Sequence, residues 1–363
     1  MVTSPEPIEA VSQRLDKFLS DQLSYASSLG PEAETMSRAG AASLRGGKRL
    51  RARFCLTGWR AVAESTAART VAPAAAAISV AAALEIFQAA ALVHDDIIDN
   101  SDTRRGQPAA HRALEAAHAA AHWAGDAAMF GRSGAVLLGD LLVAWSDDLL
   151  EDALADQPTA SATRRLYAHM RRDVTIGQFL DVAEESAYAV YPDDQHAERA
   201  LRVASYKSAR YSIQKPLEIG AALAGADDDQ LDALARFGHD VGMAFQLRDD
   251  VLGVFGDTAA TGKPVGDDLR EGKRTVLVAF AREALPASTR RTVDELLGDP
   301  DLDATQIGAL QNTIIDTGAL ARTEELIADY SRRADRALSG ARLGNAAVGE
   351  LRDLAHAATQ RSS

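Results

Sequence analysis

Residues Val80 to Val93 form an apolar, alanine-rich run without Gly or Pro, and it leads directly into His94-Asp95-Asp96-Ile97-Ile98-Asp99. Such a run is expected to be a buried helix. On a helix Asp95 and Asp99 stand at i and i+4 and share one face, with Asp96 beside them. Three carboxylates closing an apolar helix are costly unless positive charge joins them. They also sit at the helix C-terminus, where the macrodipole disfavours negative charge. A bound divalent cation would answer both problems. Oxygen-only ligands suit Mg²⁺, which keeps waters and completes its shell from substrate phosphates. A solvated acidic helix end is the other reading that these residues allow.

An apolar helix needs neighbours that cover it, and with 47 % apolar residues in 363 the chain can supply them. Length alone suggests two domains, although single domains of this size exist. The net charge of −13 argues against general nucleic-acid binding. Any anion must be bound by a local cluster of Arg and Lys. Cys55 is the single cysteine, so no internal disulfide can form, which fits a reducing, cytoplasmic compartment. The start, Met1 to Ile8, lacks the apolar core of a signal peptide. The nearest approach to a membrane span is Ala74 to Val93. It carries Glu85 and Gln88 and reads as a core helix, so no transmembrane segment is expected.

Helical spacing runs from Ile8 to Leu29 and stops at Gly30-Pro31. Glu32 to Gly47 is small and polar. Lys48 to Val62 reads as a helix with a basic start. After the alanine-rich helix, Asn100 to Pro108 is a loop. Helices are then expected over Ala109–Trp123, Val136–Ala155, Arg164–Ala189, Glu198–Ala224 and Asp229–Val254. Gly256 to Arg274 is a loop rich in Gly and charge. Helical spacing returns over Thr275–Leu285, Thr289–Leu297 and Thr305–Ala357. No period-two strand and no 20–50-residue repeat stand out. The expectation is a flexible tail over 1–7 and one all-α domain over 8–360, a helix bundle around a central cavity.

Asp249 and Asp250 end their apolar helix as Asp95 and Asp96 end theirs. If the two helices face one another, the acidic pairs meet at one mouth of the cavity and form a cage for metal ions. Position i+4 from Asp249 is Gly253, which leaves this second cluster short of a carboxylate. Cations recur nearby in sequence: Arg104 and Arg105 after the first cluster, Lys263 and Lys273 after the second, and Lys48 and Arg51 from near the chain start. Guanidinium forks and ammonium groups are what phosphate oxygens need. Each alone is most simply a solvated charge. Together with two acidic clusters they point to a ligand with a highly charged phosphate head.

The motifs Gly46-Gly47-Lys48-Arg49-Leu50-Arg51, His94 to Asp99, Asp102-Thr103-Arg104-Arg105-Gly106, Phe245-Gln246-Leu247-Arg248-Asp249-Asp250 and Gly262-Lys263 through Gly272-Lys273 follow one another along the chain. In this order and spacing they resemble the head-to-tail trans-prenyltransferases, the polyprenyl diphosphate synthases such as farnesyl and geranylgeranyl diphosphate synthases. The resemblance covers about Gly46 to Thr275. It implies a homodimeric all-α fold, Mg²⁺ dependence, and condensation of isopentenyl diphosphate with an allylic diphosphate. Carried over by motif, Asp95 and Asp99, supported by Asp96, hold Mg²⁺, and Asp249 holds a further ion with Asp250 nearby. Arg104, Lys207, Gln246 and Lys263 match allylic-substrate positions, with Ser208 where Thr is common. Lys48, Arg51, Gln88 and Arg105 match isopentenyl diphosphate positions, and Lys273 joins the substrate-binding set. Two positions depart from the pattern. Gly253 replaces the usual last Asp of the second motif, and Gln88 stands where some members have His.

That chemistry fits the residues. Breaking the allylic C–O bond leaves negative charge on diphosphate, which Mg²⁺, Arg and Lys stabilise. Water must be excluded, which the Ala-, Leu- and Val-rich walls and the loop 256–274 would do. No side chain stands out as the base, and the released diphosphate is the expected proton acceptor. Product length in this family is thought to be set where a bulky group blocks the cavity. Ala91 and Ala90 form the first layer below Asp95, and Phe87 is the first large group, so geranylgeranyl diphosphate is the expected main product. A farnesyl or longer-chain product of C25 and above, a terpene cyclase or a regulatory subunit of the same fold are the alternatives. A di-iron carboxylate bundle would need more than the one Glu115-x-x-His118 pair. An HD-type phosphohydrolase would need partner histidines at spacings that the eight His do not show.

Overall fold

The computed structural model describes residues 6–65, 71–256 and 265–359. It is all-α, as expected; the described strands are Thr103–Arg104 and Gln107–Pro108, a two-residue ribbon within the 100–108 loop. Helix α1 (Pro7–Leu29) starts with Pro at its first turn, where the missing N–H costs nothing, and ends at Gly30 with φ 122°. The polar stretch after it forms a helix as well, α2 (Pro31–Ser43). Sequence spacing missed it because its buried face consists of small residues, Ser37 and Gly40, the latter packed against Trp145. Helix α3 is Leu50–Ala63.

The alanine-rich run is α4 (Ala74–Ile98), and it is the helix around which the rest is built. Small side chains allow neighbours to approach it on all sides. Ala77, Val80, Ala81, Ala82, Ala83, Leu84 and Ile86 are fully buried. By length and composition α4 could cross a membrane, but 78 % of its most apolar stretch is buried inside the protein. Helix α5 (Ala110–Ala120) follows, then α6 (Ala127–Leu154) and α7 (Ala160–Ala187). Helix α6 starts earlier than the sequence suggested. Its Gly131 and Gly139 are notches: a Cβ at Gly139 would lie 2.1 Å from the His94 ring.

The long helix expected over 198–224 is three segments: α8 (His196–Val203), a π-helix (Ala204–Gln214) and α9 (Lys215–Leu223). π-Helical turns are rare and concentrate at functional sites. This one is wedged between two glycine notches. A Cβ at Gly177 of α7 would lie 2.4 Å from the Lys207 amide nitrogen. One at Gly242 would lie 2.5 Å from the Ala209 carbonyl oxygen. Gly242 belongs to α10 (Asp228–Phe255), which opens with a capping box between Asp227 and Gln230.

Beyond it come α11 (Asp267–Arg270), α12 (Val276–Ala284) and α13 (Ala287–Leu296). The run read as continuous from Thr305 to Ala357 is α14 (Ala304–Asp316), α15 (Ala319–Ala337) and α16 (Asn345–Thr359). Gly318 (φ 75°) and Gly340 (φ 79°) supply the left-handed residues that end the first two. Helix α16 returns to α3: the Gly344 amide donates to the Ala61 carbonyl at 2.7 Å, and Glu350 pairs with Arg60.

Candidate active site

Helix α4 delivers Asp95, Asp96 and Asp99 in its last turn, and the three do different things. Asp96 is buried, and its Oδ1 accepts from Arg104 Nε at 2.8 Å. The two-residue ribbon turns Arg104 back onto the helix that precedes it, so Arg104 Nη2 also reaches Asp95 Oδ2 at 3.4 Å. Asp96 therefore anchors a guanidinium. Asp95 stands at the junction of three elements. Its Oδ1 accepts from Gln178 Nε2 of α7 at 3.0 Å and lies 3.5 Å from Lys207 Nζ of the π-helix. Lys207 in turn pairs with Asp181 of α7 at 2.5 Å. Burial opposes the charge on Lys207, but Asp181 and Asp95 outweigh it and hold its pKa above the ordinary lysine value.

Asp99 is short of positive charge. Burial, then the neighbouring Asp95, pushes its carboxyl to about 6, against the pull of Lys273 and Lys207. That imbalance and the purely oxygen donor set of Asp95 and Asp99 fit a hard divalent cation.

The second acidic cluster lies at the end of α10. Asp250 is buried, and its Oδ1 accepts from Gln246 Nε2 at 2.7 Å. Burial, then Asp268, raises its carboxyl to about 8. Asp249 is half-buried. The shortage expected from Gly253 is made up from elsewhere: a Cβ at Gly253 would lie 1.9 Å from Asp268 Oδ2. The space left by the missing side chain thus holds a carboxylate from α11. Lys273 joins the two clusters. Its Nζ lies 2.5 Å from Glu271 Oε2 and 3.7 Å from Asp268 Oδ1. Burial opposes its charge, yet Asp268, Glu271 and also Asp99 raise its pKa. Lys263 lies outside the described residues.

A separate cationic group forms at the start of α3. Arg51 lies over the Tyr211 ring at 4.1 Å and donates to Ser212 Oγ at 2.8 Å. Its Nε is buried without a hydrogen-bond partner. Tyr211 donates its hydroxyl to Gln88 Oε1 at 2.6 Å, which brings Gln88 to Arg51. Gly47, with φ 85°, allows Arg105 to lie over the loop: a Cβ there would be 2.8 Å from its guanidinium. Arg105 Nη1 donates to the Arg45 carbonyl at 2.9 Å. Partial burial, then the Arg49 guanidinium, lowers the Arg105 pKa, with Arg104 and Arg51 adding to the effect. Lys48 is exposed beside them. Arg49 points inward, where its Nη2 donates to the Leu44 carbonyl at 2.7 Å. Ser208 is half-buried on the π-helix.

Below the mouth, Ala91 and Ala90 precede Phe87, as the helical spacing requires. Phe87 meets Tyr211 edge-on at 5.8 Å and Tyr167 of α7 at 6.3 Å. The Tyr167 hydroxyl is bonded to Ser146, whose Oγ donates to the Ala83 carbonyl at 2.6 Å. Reading the sequence found Phe87 and missed both tyrosines, Ser212, Asp268 and the roles of Gln178 and Asp181. Glu115 is spent on Arg112 at 2.7 Å, and His118 lies against Phe130 at 5.0 Å with the rings tilted by 45°.

The profile of the family described as polyprenyl synthetase matches residues 33–314. A short chain isoprenyl diphosphate synthase of Methanocaldococcus jannaschii is 30 % identical over 226 residues. That match covers 62 % of this chain and 62 % of the relative, less than two thirds of its length. A geranylfarnesyl diphosphate synthase of Aeropyrum pernix is 31 % identical over 297 residues, 81 % of this chain and 83 % of the relative. Among solved structures, geranylgeranyl pyrophosphate synthase from Corynebacterium glutamicum, complexed with isoprenyl diphosphate and magnesium, superposes with a TM-score of 0.90. It shares 37 % identity over 98 % of both chains.

Proposed function

The chain belongs to the polyprenyl synthetase family, and from that premise we propose that it is a trans-prenyltransferase that condenses isopentenyl diphosphate with an allylic diphosphate. The observation that carries this reading is the layout along α4. Its end presents Asp95 and Asp99 beside Lys207 and Arg104. Two helical turns deeper, about 10 Å away, Gln88 meets Tyr211 and Arg51. One helix thus borders both an acidic, metal-type subsite and a cationic subsite with an unsatisfied donor.

Asp95, Asp99 and Asp249 would hold Mg²⁺, with Asp268 standing in the place lost at Gly253. When bound, the ions would neutralise the allylic diphosphate and stabilise its charge as the C–O bond breaks. Arg104 and Lys207, already beside Asp95, donate to the same leaving oxygens. Lys48, Arg51 and Arg105 hold the second diphosphate. The allylic carbon then forms a bond with the terminal alkene carbon of isopentenyl diphosphate, and the proton lost from that unit passes to the released diphosphate. The walls of α4 keep water away from the reacting carbons. We favour geranylgeranyl diphosphate as the product. The C. glutamicum structure supports this and the name of the A. pernix relative, a geranylfarnesyl synthase, points to a longer chain.

Incubation of the purified protein with Mg²⁺, labelled isopentenyl diphosphate and each short allylic primer tests the reading directly. A cyclase or a regulatory subunit would not consume the label. In the same assay Lys48→Ala should chiefly raise the KM for isopentenyl diphosphate. The lost charge-assisted contact is worth roughly 1.5–3 kcal/mol, about ten- to a hundred-fold. A change confined to the allylic KM would reverse the assignment of the two subsites.

We further propose a homodimer, in the cytoplasm. Helix α6 is apolar enough to cross a membrane, yet only 28 % of its most apolar stretch is buried. Met129 (68 %), Val136 (45 %) and Leu137 (59 %) are exposed along it, and Phe179 of α7 is 70 % exposed. Exposed apolar side chains gathered along one helix favour an association surface, and a second copy of the same face would cover it. Leu137→Arg should shift the protein from dimer to monomer in sedimentation velocity. A wild-type chain that sediments as a monomer at micromolar concentration would remove the proposal.

A further inference from the structure

Where the π-helix meets α10 and α15 lies a groove of about 400 Å³. It is lined by Arg210 and Gln214 of the π-helix, Arg236, His239 and Asp240 of α10, and Arg333 and Arg336 of α15, with Ala235 and Ala337 between them. Four guanidinium groups around one carboxylate are a marked excess of positive charge in a chain of net charge −13.

The charges in the groove are only partly spent. Asp240 is buried at its base and accepts from Arg333 Nη2 at 2.8 Å, with His239 Nδ1 at 3.5 Å. That pair fixes the plane of Arg333 and leaves its other N–H groups for a ligand. Arg210 lies over the Tyr206 ring at 4.0 Å, and it is 3.3 Å from Asp173 Oδ2 and 3.4 Å from Ser205 Oγ. Arg236 has a solvent-exposed partner one turn back, Asp232 at 3.0 Å, a contact of little strength. Among the described residues no carboxylate pairs with Arg336. Like charges gathered in a concave site repel one another until an anion joins them. Planar guanidinium forks favour phosphoryl oxygens.

We propose that this groove binds a small polyanion carrying a diphosphate or triphosphate chain, at a site separate from the two acidic clusters. Arg210 follows Lys207 by three residues in the π-helix, which packs against Gly177 and Gly242.

Titration calorimetry in EDTA buffer tests this with two probes, inorganic diphosphate and adenosine triphosphate. At least one should bind to the wild-type chain. Arg336→Glu and Arg236→Glu, both on the surface, should each weaken that binding about ten-fold or more, as expected for loss of a charge-assisted contact. Arg336→Lys should largely restore it. Equal binding of both probes assigns recognition to the phosphate chain, and tighter binding of the nucleotide assigns the base and sugar as well. If neither probe binds, or if the Arg236→Glu/Arg336→Glu double variant binds with wild-type affinity, the groove is not an anion site.

Discussion

Asp95→Ala is expected to lower kcat by about 10³-fold or more while leaving the fold intact. The loss should exceed that of a single transition-state hydrogen-bond donor, typically about 10²–10³-fold, because Asp95 serves several partners. It shares a helix face with Asp99 and touches Gln178, Lys207 and Arg104. Without it the metal-type subsite loses half of its first carboxylate pair, and Lys207 loses a contact that helps to aim it. Stability without Mg²⁺ should change little, because two effects oppose each other. Removal of the Asp95 charge relieves Asp99, whose carboxyl it helps to push up. The same substitution leaves Lys207 and Arg104 with one partner fewer, though Asp181 and Asp96 remain. A net change within about 1 kcal/mol is expected for partly exposed pairs. Single-turnover kinetics and thermal unfolding in EDTA check both halves. A large drop in apo stability with turnover retained would make Asp95 a structural residue.

Substitutions at Phe87 and Ala91 should change what is made rather than how fast. Phe87→Ala should lengthen the main product beyond C20, and Ala91→Phe should shorten it to C15. Ala91 and Phe87 are one turn apart on α4, about 5–6 Å, close to the added length of one isoprene unit. The Phe87 ring is packed in place on two sides. Tyr211 and Tyr167 meet it edge-on from two other walls, and Tyr167 is itself tied to Ser146. The same contacts set a stability cost: Phe87→Ala opens a buried cavity, worth roughly 3–5 kcal/mol in a well-packed core. Product analysis should therefore accompany a melting curve, and Phe87→Leu offers a gentler version with the same direction of change. An unchanged product distribution from a folded Phe87→Ala protein would place the floor elsewhere. A native product of C25 or more would then be the better reading.

Much of this site could be read from the chain because its chemistry repeats at helical spacing. Asp95 and Asp99 declare a shared face, and the unbroken alanine run before them declares a core helix. The cations could be named but not paired. Arg104 was visible beside the motif, yet its turn back onto Asp96 depends on a two-residue ribbon too short to show a period. Asp268 was read as one more charge in a loop. Its place in the gap at Gly253 is a tertiary fact, since α11 has to fold back onto α10. Gln178 and Asp181 are polar positions on a long helix, and only the fold sets Asp95 and Lys207 against them. Helix boundaries failed where small residues do the packing, as in α2, and where left-handed glycines interrupt an otherwise continuous pattern, as at Gly318 and Gly340.

The π-helix has a consequence for how this chain can vary. A segment wound i to i+5 holds one more residue per hydrogen-bonded ring than its α-helical neighbours. Both of its flanks are fixed, by Gly177 on one side and Gly242 on the other. Lys207 faces the acids, Tyr211 faces Gln88 and Phe87, and Arg210 lines the groove beside α10 and α15. Deleting one residue between Ala204 and Gln214 would let the stretch relax to an ordinary α-helix. A cut between Lys207 and Tyr211 would bring them from i, i+4 to i, i+3 and change the angle at which each meets the cavity. Point substitutions along this segment leave that phase intact, whereas single-residue insertions and deletions destroy it, so its length is under tighter constraint than its composition.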